Sequence, residues 1–285
     1  MNRIITLTTD FGTRDGFVGV MKGVILRVNP QATIVDITHD IAPQNIEQGA
    51  FLFANALNYF PANAIHVVVV DPGVGGARRP IALQLGETFF VAPDNGVLSL
   101  AIGDWRKEIR DWRLETLRES PISNLQSLPR VVHLTNPAYW LPRVSVTFHG
   151  RDIFAPVAAH LSLGVPLDAL GEPMDDWVKL SACVRAARLG EAIIGRVAHI
   201  DRFGNAITNI GEEMLAGMDR ARAVVRIGAH ALRGIKPTYS SAASGEALAL
   251  ISSSWQVEIA VRDGNAAQTL GIRLGDEVVL ASDYS

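Results

Sequence analysis

A single cysteine, Cys183, stands among 285 residues. One thiol excludes an internal disulfide and any paired-cysteine metal knuckle. The simplest expectation for it is a buried thiol in a reducing cytoplasm. Long apolar runs are also missing, and none approaches the roughly 18 residues that span a bilayer. The opening residues, Met-Asn-Arg-Ile-Ile-Thr-Leu-Thr-Thr-Asp, enter a strand pattern without the apolar segment and small-residue cleavage site of a signal peptide. A soluble cytoplasmic protein without a membrane partner is therefore expected. Basic clusters are absent too: 26 Lys and Arg face 29 Asp and Glu, for a net charge of -3. Nucleic acid would have no electrostatic footprint to bind. Charged residues make up 19% of the chain against 48% hydrophobic, which excludes a disordered polymer and leaves enough apolar side chains for a sizeable core. A small molecule is the partner class that remains.

Common catalytic signatures are also lacking. The chain has no G-x-x-x-x-G-K-[ST], no H-E-x-x-H and no G-x-S-x-G. Gly73-Val-Gly75-Gly-Ala-Arg78 comes nearest to a dinucleotide fingerprint. It carries Arg78 where the third glycine belongs and runs strand, loop, strand, which excludes a nicotinamide site. His39, His66, His133, His160, His199 and His230 show no metal-ligand spacing, so no metal and no cofactor are expected.

At about 150 residues per domain, the length predicts two domains or one large one. In the first half strands and helices alternate. Ile4 to Thr8, Thr33 to Ile37 and Ile65 to Val70 read as strands, the last apolar throughout and so buried on both faces. Between them Phe17, Val20, Met21, Val24, Ile25 and Val28 fall on one helical face. Asn45 reads as the N-cap of a second helix with Gln48 three residues on, and Ile46, Ala50, Phe53, Ala54 and Leu57 face inward. Strands around Ile81–Leu85 and Thr88–Val91 follow the glycine loop, and a helix fits Asp152 to Leu163. This order predicts an α/β fold whose N-terminal domain, residues 1–180, is a Rossmann-like doubly wound layer. From about residue 190 short β-rich runs recur between turns: Ala192–Ile200, Ala223–Ile227, Ala247–Ser252, Gln256–Arg262 and Glu277–Ala281. They predict a smaller C-terminal β-barrel domain over 190–285.

Four local features can carry chemistry. Thr8-Thr-Asp10-Phe-Gly12 closes the first strand, where ligands sit in open α/β sheets. Asp10 can accept both hydroxyls of a ribose, or merely cap a turn or the following helix. Asp71-Pro-Gly-Val-Gly-Gly-Ala-Arg78 lies at another strand's carboxyl end. Asp71 and Arg78 can pair across the loop and present positive charge to a nucleophile, or form a rim salt bridge of little worth. In Thr147-Phe-His149-Gly-Arg-Asp152, His149 can orient water or substrate, and Asp152 can equally cap the helix. Asp201-Arg-Phe203-Gly-Asn205 offers a stacking ring and an amide that suits an adenine edge, or is an ordinary polar turn.

In this order and spacing, the features resemble one family. Thr9-Asp10-Phe-Gly12, Val35-Asp36-Ile37-Thr38-His39, Asp71-Pro-Gly-Val-Gly75, Ala92-Pro-Asp-Asn-Gly96, Thr147-Phe-His149-Gly-Arg-Asp152, Asp201-Arg-Phe-Gly-Asn205 and Gly264-Asn-Ala-Ala267 are similar to those of the S-adenosyl-L-methionine (SAM) hydroxide adenosyltransferases, adenosine-forming hydrolases related to fluorinase and chlorinase. The resemblance runs from Ile5 to about Ala281. It implies a homotrimer with active sites between subunits and SAM as substrate. It implies Asp71, Arg78 and His149 as the catalytic set, Asp10 on the ribose, Asp201 on the methionine amine, and Phe203, Asn205 and Ala266 on adenine. Ser253, within Ser252-Ser-Ser254-Trp255, joins the substrate-binding set. Ser254 stands where the halogenases carry the arginine that meets the methionine carboxylate. Asp71 replaces a halogenase tyrosine, Gln44 replaces a tryptophan, and an inserted halogenase loop is absent. The expected reaction is attack of activated water on C5′ of SAM, giving adenosine and L-methionine. The alternatives are halide-dependent adenosyl transfer and a non-catalytic adenosine or SAM binding module.

Overall fold

A computed structural model describes residues 3–102, 129–180 and 185–282. Cys183 and most of the Trp- and Arg-rich stretch from 105 lie outside the described residues. The fold is mixed α/β, and the chain divides into two compact units, Met1–Leu180 and Ser181–Ser285.

The first unit is built on a seven-stranded sheet of order β2-β1-β3-β5-β4-β6-β7. Its strands are β1 Ile4–Thr9, β2 Thr33–Thr38, β3 Ile65–Val69, β4 Pro80–Leu85, β5 Thr88–Pro93, β6 Arg130–Leu134 and β7 Gly171–Met174. β2, β1, β3 and β5 run parallel, and β4, β6 and β7 continue the sheet antiparallel. Every residue of β3 is buried, as its apolar run predicts. Val67 and Val69 enter one apolar cluster and Val68 and Val70 the other, so both faces are covered. Helix α1, Phe17–Val28, supplies the first cluster, and α2, Ile46–Leu57, the second.

Two details differ from the sequence expectation. The buried stripe of α1 is Val18, Met21 and Ile25, while Phe17 and Val20 stay 46% and 45% exposed. Met21 and Ile25 are common to both faces, so the buried stripe is shifted toward Val18 by less than one residue step, where the helix packs on the helix Ala155–Ser162 as well as on the sheet. Asn45 caps α2 as expected, its side chain accepting from Gln48 N at 3.0 Å. The Gln48 side chain braces the β2–α2 loop, its Oε1 accepting from Ala42 N at 2.7 Å.

In the second unit the strands are β8 Ala187–Leu189, β9 Ala192–Ile200, β10 Ala206–Gly211, β11 Ala223–Ile227, β12 His230–Arg233, β13 Ile235–Lys236, β14 Ala247–Ile251, β15 Gln256–Val261 and β16 Glu277–Ser282. They pair in the order β12-β11-β16-β9-β10-β15-β14-β13, with β8 on β9. The two edge strands β12 and β13 are consecutive in the chain and meet at Gly234, whose φ of +75° is the left-handed backbone that glycine favours. The sheet is thereby nearly closed, barrel-like, around Ile193, Val197, Val225, Ile259, Val278 and Leu280. Among the described residues no helix is long and apolar enough to cross a membrane.

One core histidine makes the first unit sensitive to acid. His66 on β3 is 1% exposed, sits against Phe53, Phe60 and Phe90, and meets Thr6 Oγ1 through Nδ1 at 2.7 Å. Burial pushes its pKa from 6.5 down to about 3. Between those values the unfolded chain takes up a proton that the folded chain refuses, so this stability is full above pH 6.5 and is lost as pH falls toward 3. Urea midpoints measured from pH 7 to pH 4 should fall more steeply for the wild type than for a Thr6→Val/His66→Phe double variant. Equal slopes would refute the assignment.

Candidate active site

Three loops of the first unit converge. Asp71 follows β3, and the glycine loop turns back on itself through Val74 N to Asp71 O and Gly76 N to Gly73 O bonds. This return sets Arg78 on Asp71 in a two-pronged pair: Nε donates to Oδ1 at 2.8 Å, and Nη2 donates to Oδ2. The side chains of Arg78 and Asp71 are 9% and 4% exposed, so this is a buried pair and not a rim salt bridge. Arg78 Nη2 also lies 2.7 Å from His149 Nδ1. A guanidinium only donates, so His149 Nδ1 accepts and the neutral ring carries its proton on Nε2. The ring also bonds the Ser145 carbonyl. Burial, then the charge of Arg78, holds the His149 pKa below its ordinary value. Arg78 packs over the Phe154 ring at 5.4 Å, and its Nη1 is buried with no partner among the described residues.

The fit between these loops depends on one glycine. Gly75 has φ +74°, and a Cβ there would stand 2.1 Å from the Val146 carbonyl oxygen. The glycine loop therefore lies directly on the segment that leads to His149. Asp152, fully buried, secures that segment by accepting from Ser145 N and Ser145 Oγ, each at 2.8 Å, and from Arg151. Burial opposes its ionisation, but Arg151 and Ser145 outweigh burial and lower its pKa. Asp152 caps no α-helix: it belongs to a π-helical turn, Gly150–Phe154, that precedes the helix Ala155–Ser162.

Asp10 joins the same group. It does not cap α1, whose N-cap is Gly16 without a side-chain bond. Its Oδ2 accepts from Gln44 N at 2.7 Å. Burial raises its pKa, the Gln44 amide opposes the rise, and the charge of Asp71 adds to it. Asp10 and Asp71 thus feel one another. Phe148 meets Phe11 and Phe17 edge to face, with centroids 5.7 and 5.1 Å away, Phe11 and Phe17 are tilted at 5.9 Å, and the three rings tie the Asp10 loop to the His149 loop.

The second unit holds its own cavity of about 710 Å³, lined among others by Phe203, Asn205, Tyr239, Gly264 and Asn265. Asp201 shapes the adjoining turn. Its Oδ1 accepts from Phe203 N and Asn205 N at 2.9 and 2.8 Å, and its Oδ2 from Asn205 Nδ2 at 3.0 Å. Phe203 is left 75% exposed and Asn205 nearly buried. Gly204, at φ +86°, passes so close to Asn265 that a Cβ would lie 2.0 Å from it. Ala266 is fully buried beside this contact. Ser253 is not gathered with these residues within the unit. Its turn joins β14 to β15 at the Gln256 end, whereas Ala206, next to Asn205, pairs with Ile259. Among the described residues no group of three His, Cys, Asp or Glu side chains is placed to hold a metal ion.

Comparison with known proteins bears on both units. A model of the SAM hydroxide adenosyltransferase N-terminal domain matches residues 5–171, and one of the C-terminal domain matches 195–279. The chain belongs to this family. A protein of Salinispora tropica named (R)-S-adenosyl-L-methionine hydrolase is 37% identical over 96% of each chain. One of the same name from Thermus thermophilus is 35% identical over 98% of this chain and 99% of its own. Proteins named fluorinase are more distant. Among solved structures, an uncharacterized conserved protein of Thermotoga maritima superimposes with a TM-score of 0.82 at 34% identity, covering 98% of this chain and 100% of its own.

The family signature did not reveal every residue that borders the sites. Tyr239 lines the cavity of the second unit and donates to the buried Glu258 at 2.6 Å. Glu258 alternates with Val257 and Ile259 on β15, so in sequence it reads as a solvent-facing position. Nothing local to either residue signals the partnership.

The Gly75 contact yields a direct test. Gly75→Ala forces a side chain into left-handed backbone, at about 1–3 kcal/mol, and drives the glycine loop off Val146. The expected outcome is lower thermal stability together with loss of the Arg78–His149 contact. In the variant the His149 pKa, read by NMR, should move back toward 6.5. An unchanged His149 titration would mean that the loop contact does not hold the pair.

Proposed function

We propose that this chain hydrolyses SAM to adenosine and L-methionine by attack of water on C5′. The observation that carries the reading is the buried Asp71–Arg78–His149 group, in which one guanidinium nitrogen, Nη1, is free of protein partners among the described residues. The family membership and the names of the relatives point to the same substrate.

The reading follows from charge. SAM carries its leaving group as a sulfonium, so methionine departs as a neutral thioether and needs neither a proton nor a Lewis acid. The reaction lacks only a nucleophile, since water has a pKa near ~15.7. Asp71 and His149 hold the guanidinium from two sides and aim Nη1 at an attacking oxygen, where its charge favours developing hydroxide. As the C5′–O bond forms, the C5′–S bond breaks, its electron pair passes to sulfur, and the water gives up one proton. His149 is a poor acceptor for that proton, because its Nδ1 lone pair is engaged by Arg78. Asp71 retains free lone pairs and is the base in this reading. Asp10 takes the ribose hydroxyls, and Phe203 and Asn205 take the adenine, with Asp201 and Ser253 toward the methionine part. The first unit is thus the catalytic domain, a variant of the Rossmann-like layer, and the second is the barrel that holds the base. The same reading has the enzyme act without a cofactor, in the cytoplasm, as a homotrimer whose sites combine residues of neighbouring chains. Co-refolded Asp71→Ala and Asn205→Ala variants, each nearly inactive alone, should then recover activity as mixed oligomers.

SAM incubated with the protein in oxygen-18 water should yield adenosine labelled at the 5′ hydroxyl, with and without chloride. A chlorinated or fluorinated nucleoside in the presence of halide would favour halide transfer. Binding without turnover would favour the non-catalytic module. Arg78→Ala should lower kcat by about 10²–10³-fold with a smaller change in KM, as expected for loss of one oxyanion donor. Asp71→Asn should lose more turnover than His149→Gln. A larger loss for His149→Gln would make the histidine the base.

A further inference from the structure

The Val35-Asp36-Ile37-Thr38-His39 motif remains without a role in the chemistry above. Its last residue, His39, is 5% exposed and follows β2 directly. His39 Nδ1 lies 2.9 Å from Thr9 Oγ1, and the His39 carbonyl accepts from Gly12 N at 2.7 Å. Those two bonds grip the Thr9–Gly12 loop on either side of Asp10. Five residues beyond His39, Gln44 donates its backbone N–H to the Asp10 carboxylate itself. Gln44 does so from left-handed backbone, φ +66°, a costly conformation for a non-glycine residue. Thus the loop after β2 clasps the loop after β1 at three points, all around one carboxylate.

The polarity of the clasp can be assigned from its partners. Thr9 Oγ1 already accepts from Phe11 N at 3.2 Å. Its own proton is then free to reach His39 Nδ1, which leaves the imidazole proton on Nε2. Nε2 lies 3.1 Å from Asp36 Oδ1, and the other oxygen of Asp36 holds Lys22 at 2.5 Å. Thr9 is fully buried, so its hydroxyl has no water to replace His39. The β1–β2 register also shifts between Leu7 and Thr8, just before the clasped loop, while β1 keeps its regular register with β3 through Thr9.

We infer that His39 is a positioning residue that acts through Thr9 to aim Asp10, and that the β2–α2 loop thereby sets the enzyme's preference for a nucleoside with free ribose hydroxyls. This rests on the reading of Asp10 as the ribose contact. The Gln44 amide fixes the carboxylate directly, and Asp36 faces His39 Nε2 at 3.1 Å without a hydrogen bond to it.

The test compares binding of adenosine and of 2′,3′-dideoxyadenosine by calorimetry, with SAM kinetics alongside. In the wild type adenosine should bind about ten-fold or more tighter, the value of a hydrogen bond to a charged group. Thr9→Val keeps the shape and removes the hydroxyl, and it should collapse that preference and raise KM for SAM with little change in kcat. His39→Ala should match it. The double variant should be no worse than either single one, because both break one linkage. His39→Asn places an amide near the position of Nδ1 and should restore the preference, whereas His39→Gln, which reaches toward Asp36 instead, should not. If His39→Ala does not fold, Thr9→Val and His39→Asn carry the comparison. A lowered melting temperature with an intact preference overturns the positioning role and makes the motif purely structural. Asp10→Ala separates the two readings. If it abolishes the preference and Thr9→Val does not, the clasp is wrong and the ribose contact stands. If Asp10→Ala itself leaves the preference intact, both fall.

Discussion

The first unit is organised around the need of one buried cation for partners. A guanidinium taken out of water costs several kcal/mol unless its N–H groups find acceptors in good geometry. Arg78 finds them in Asp71, seven residues earlier, and in His149, 71 residues later. The nearer partner comes from the turn of the glycine loop. The further one requires that two segments distant in sequence lie in direct contact, and Gly75 against the Val146 carbonyl is that contact. Asp152 then serves the charge indirectly, since its bonds to Ser145 fix the segment on which His149 stands. Losing Asp71 would leave a buried charge uncompensated, and losing His149 would take an acceptor from Arg78 Nη2, so the arrangement tolerates little drift.

How much of this was legible in the sequence depended on distance along the chain. β3 was plain, because an apolar pentad has one sensible place in a parallel sheet. The Asn45 cap and the bounds of the second helix were equally local. The α1 stripe was right at Met21 and Ile25 and wrong at its Phe17–Val20 margin, because that margin is set by the distant helix Ala155–Ser162 and periodicity cannot choose between overlapping stripes of similar hydrophobicity. β10, β12 and β13 were missed because they are short or broken by Gly, Thr and Asn, and gain their order from neighbours in the nearly closed sheet. At the site, the residue types were legible but their relations were not. An Asp and an Arg in a glycine loop read as well for a surface pair as for a buried one. Burial of both decided between them. The Thr9–His39 and Tyr239–Glu258 links gave no local signal, being contacts between side chains on separate elements.

The two units keep their polar groups in different ways. In the first, polar side chains are braced across loops: Asp10 by Gln44 and His149 by Arg78. In the second, Asp201 spends its oxygens on its own turn, on Phe203 N, Asn205 N and the Asn205 amide. A self-braced turn needs no distant partner and can leave Phe203 largely exposed. Such a surface suits a planar group that gains from contact with a ring face. Cross-braced loops suit a reacting centre, where an error of an ångström in a charge lowers the rate steeply.

The proposed chemistry explains what the braced centre lacks. Most hydrolases need an acid to protonate the departing group as well as a means to activate water. Here the histidine is held neutral by burial and by the adjacent guanidinium, and its Nδ1 accepts instead of donating. Arg78 does not release a proton at ordinary pH, and Asp71 is paired with it. No member of the group is therefore set up as a general acid. That is a defect for hydrolysis of an ester or an amide. It is no defect for a sulfonium, which leaves as a neutral thioether and takes no proton. The site needs only to stabilise one new negative charge at the attacking oxygen, and a single fixed cation with one free N–H direction suffices.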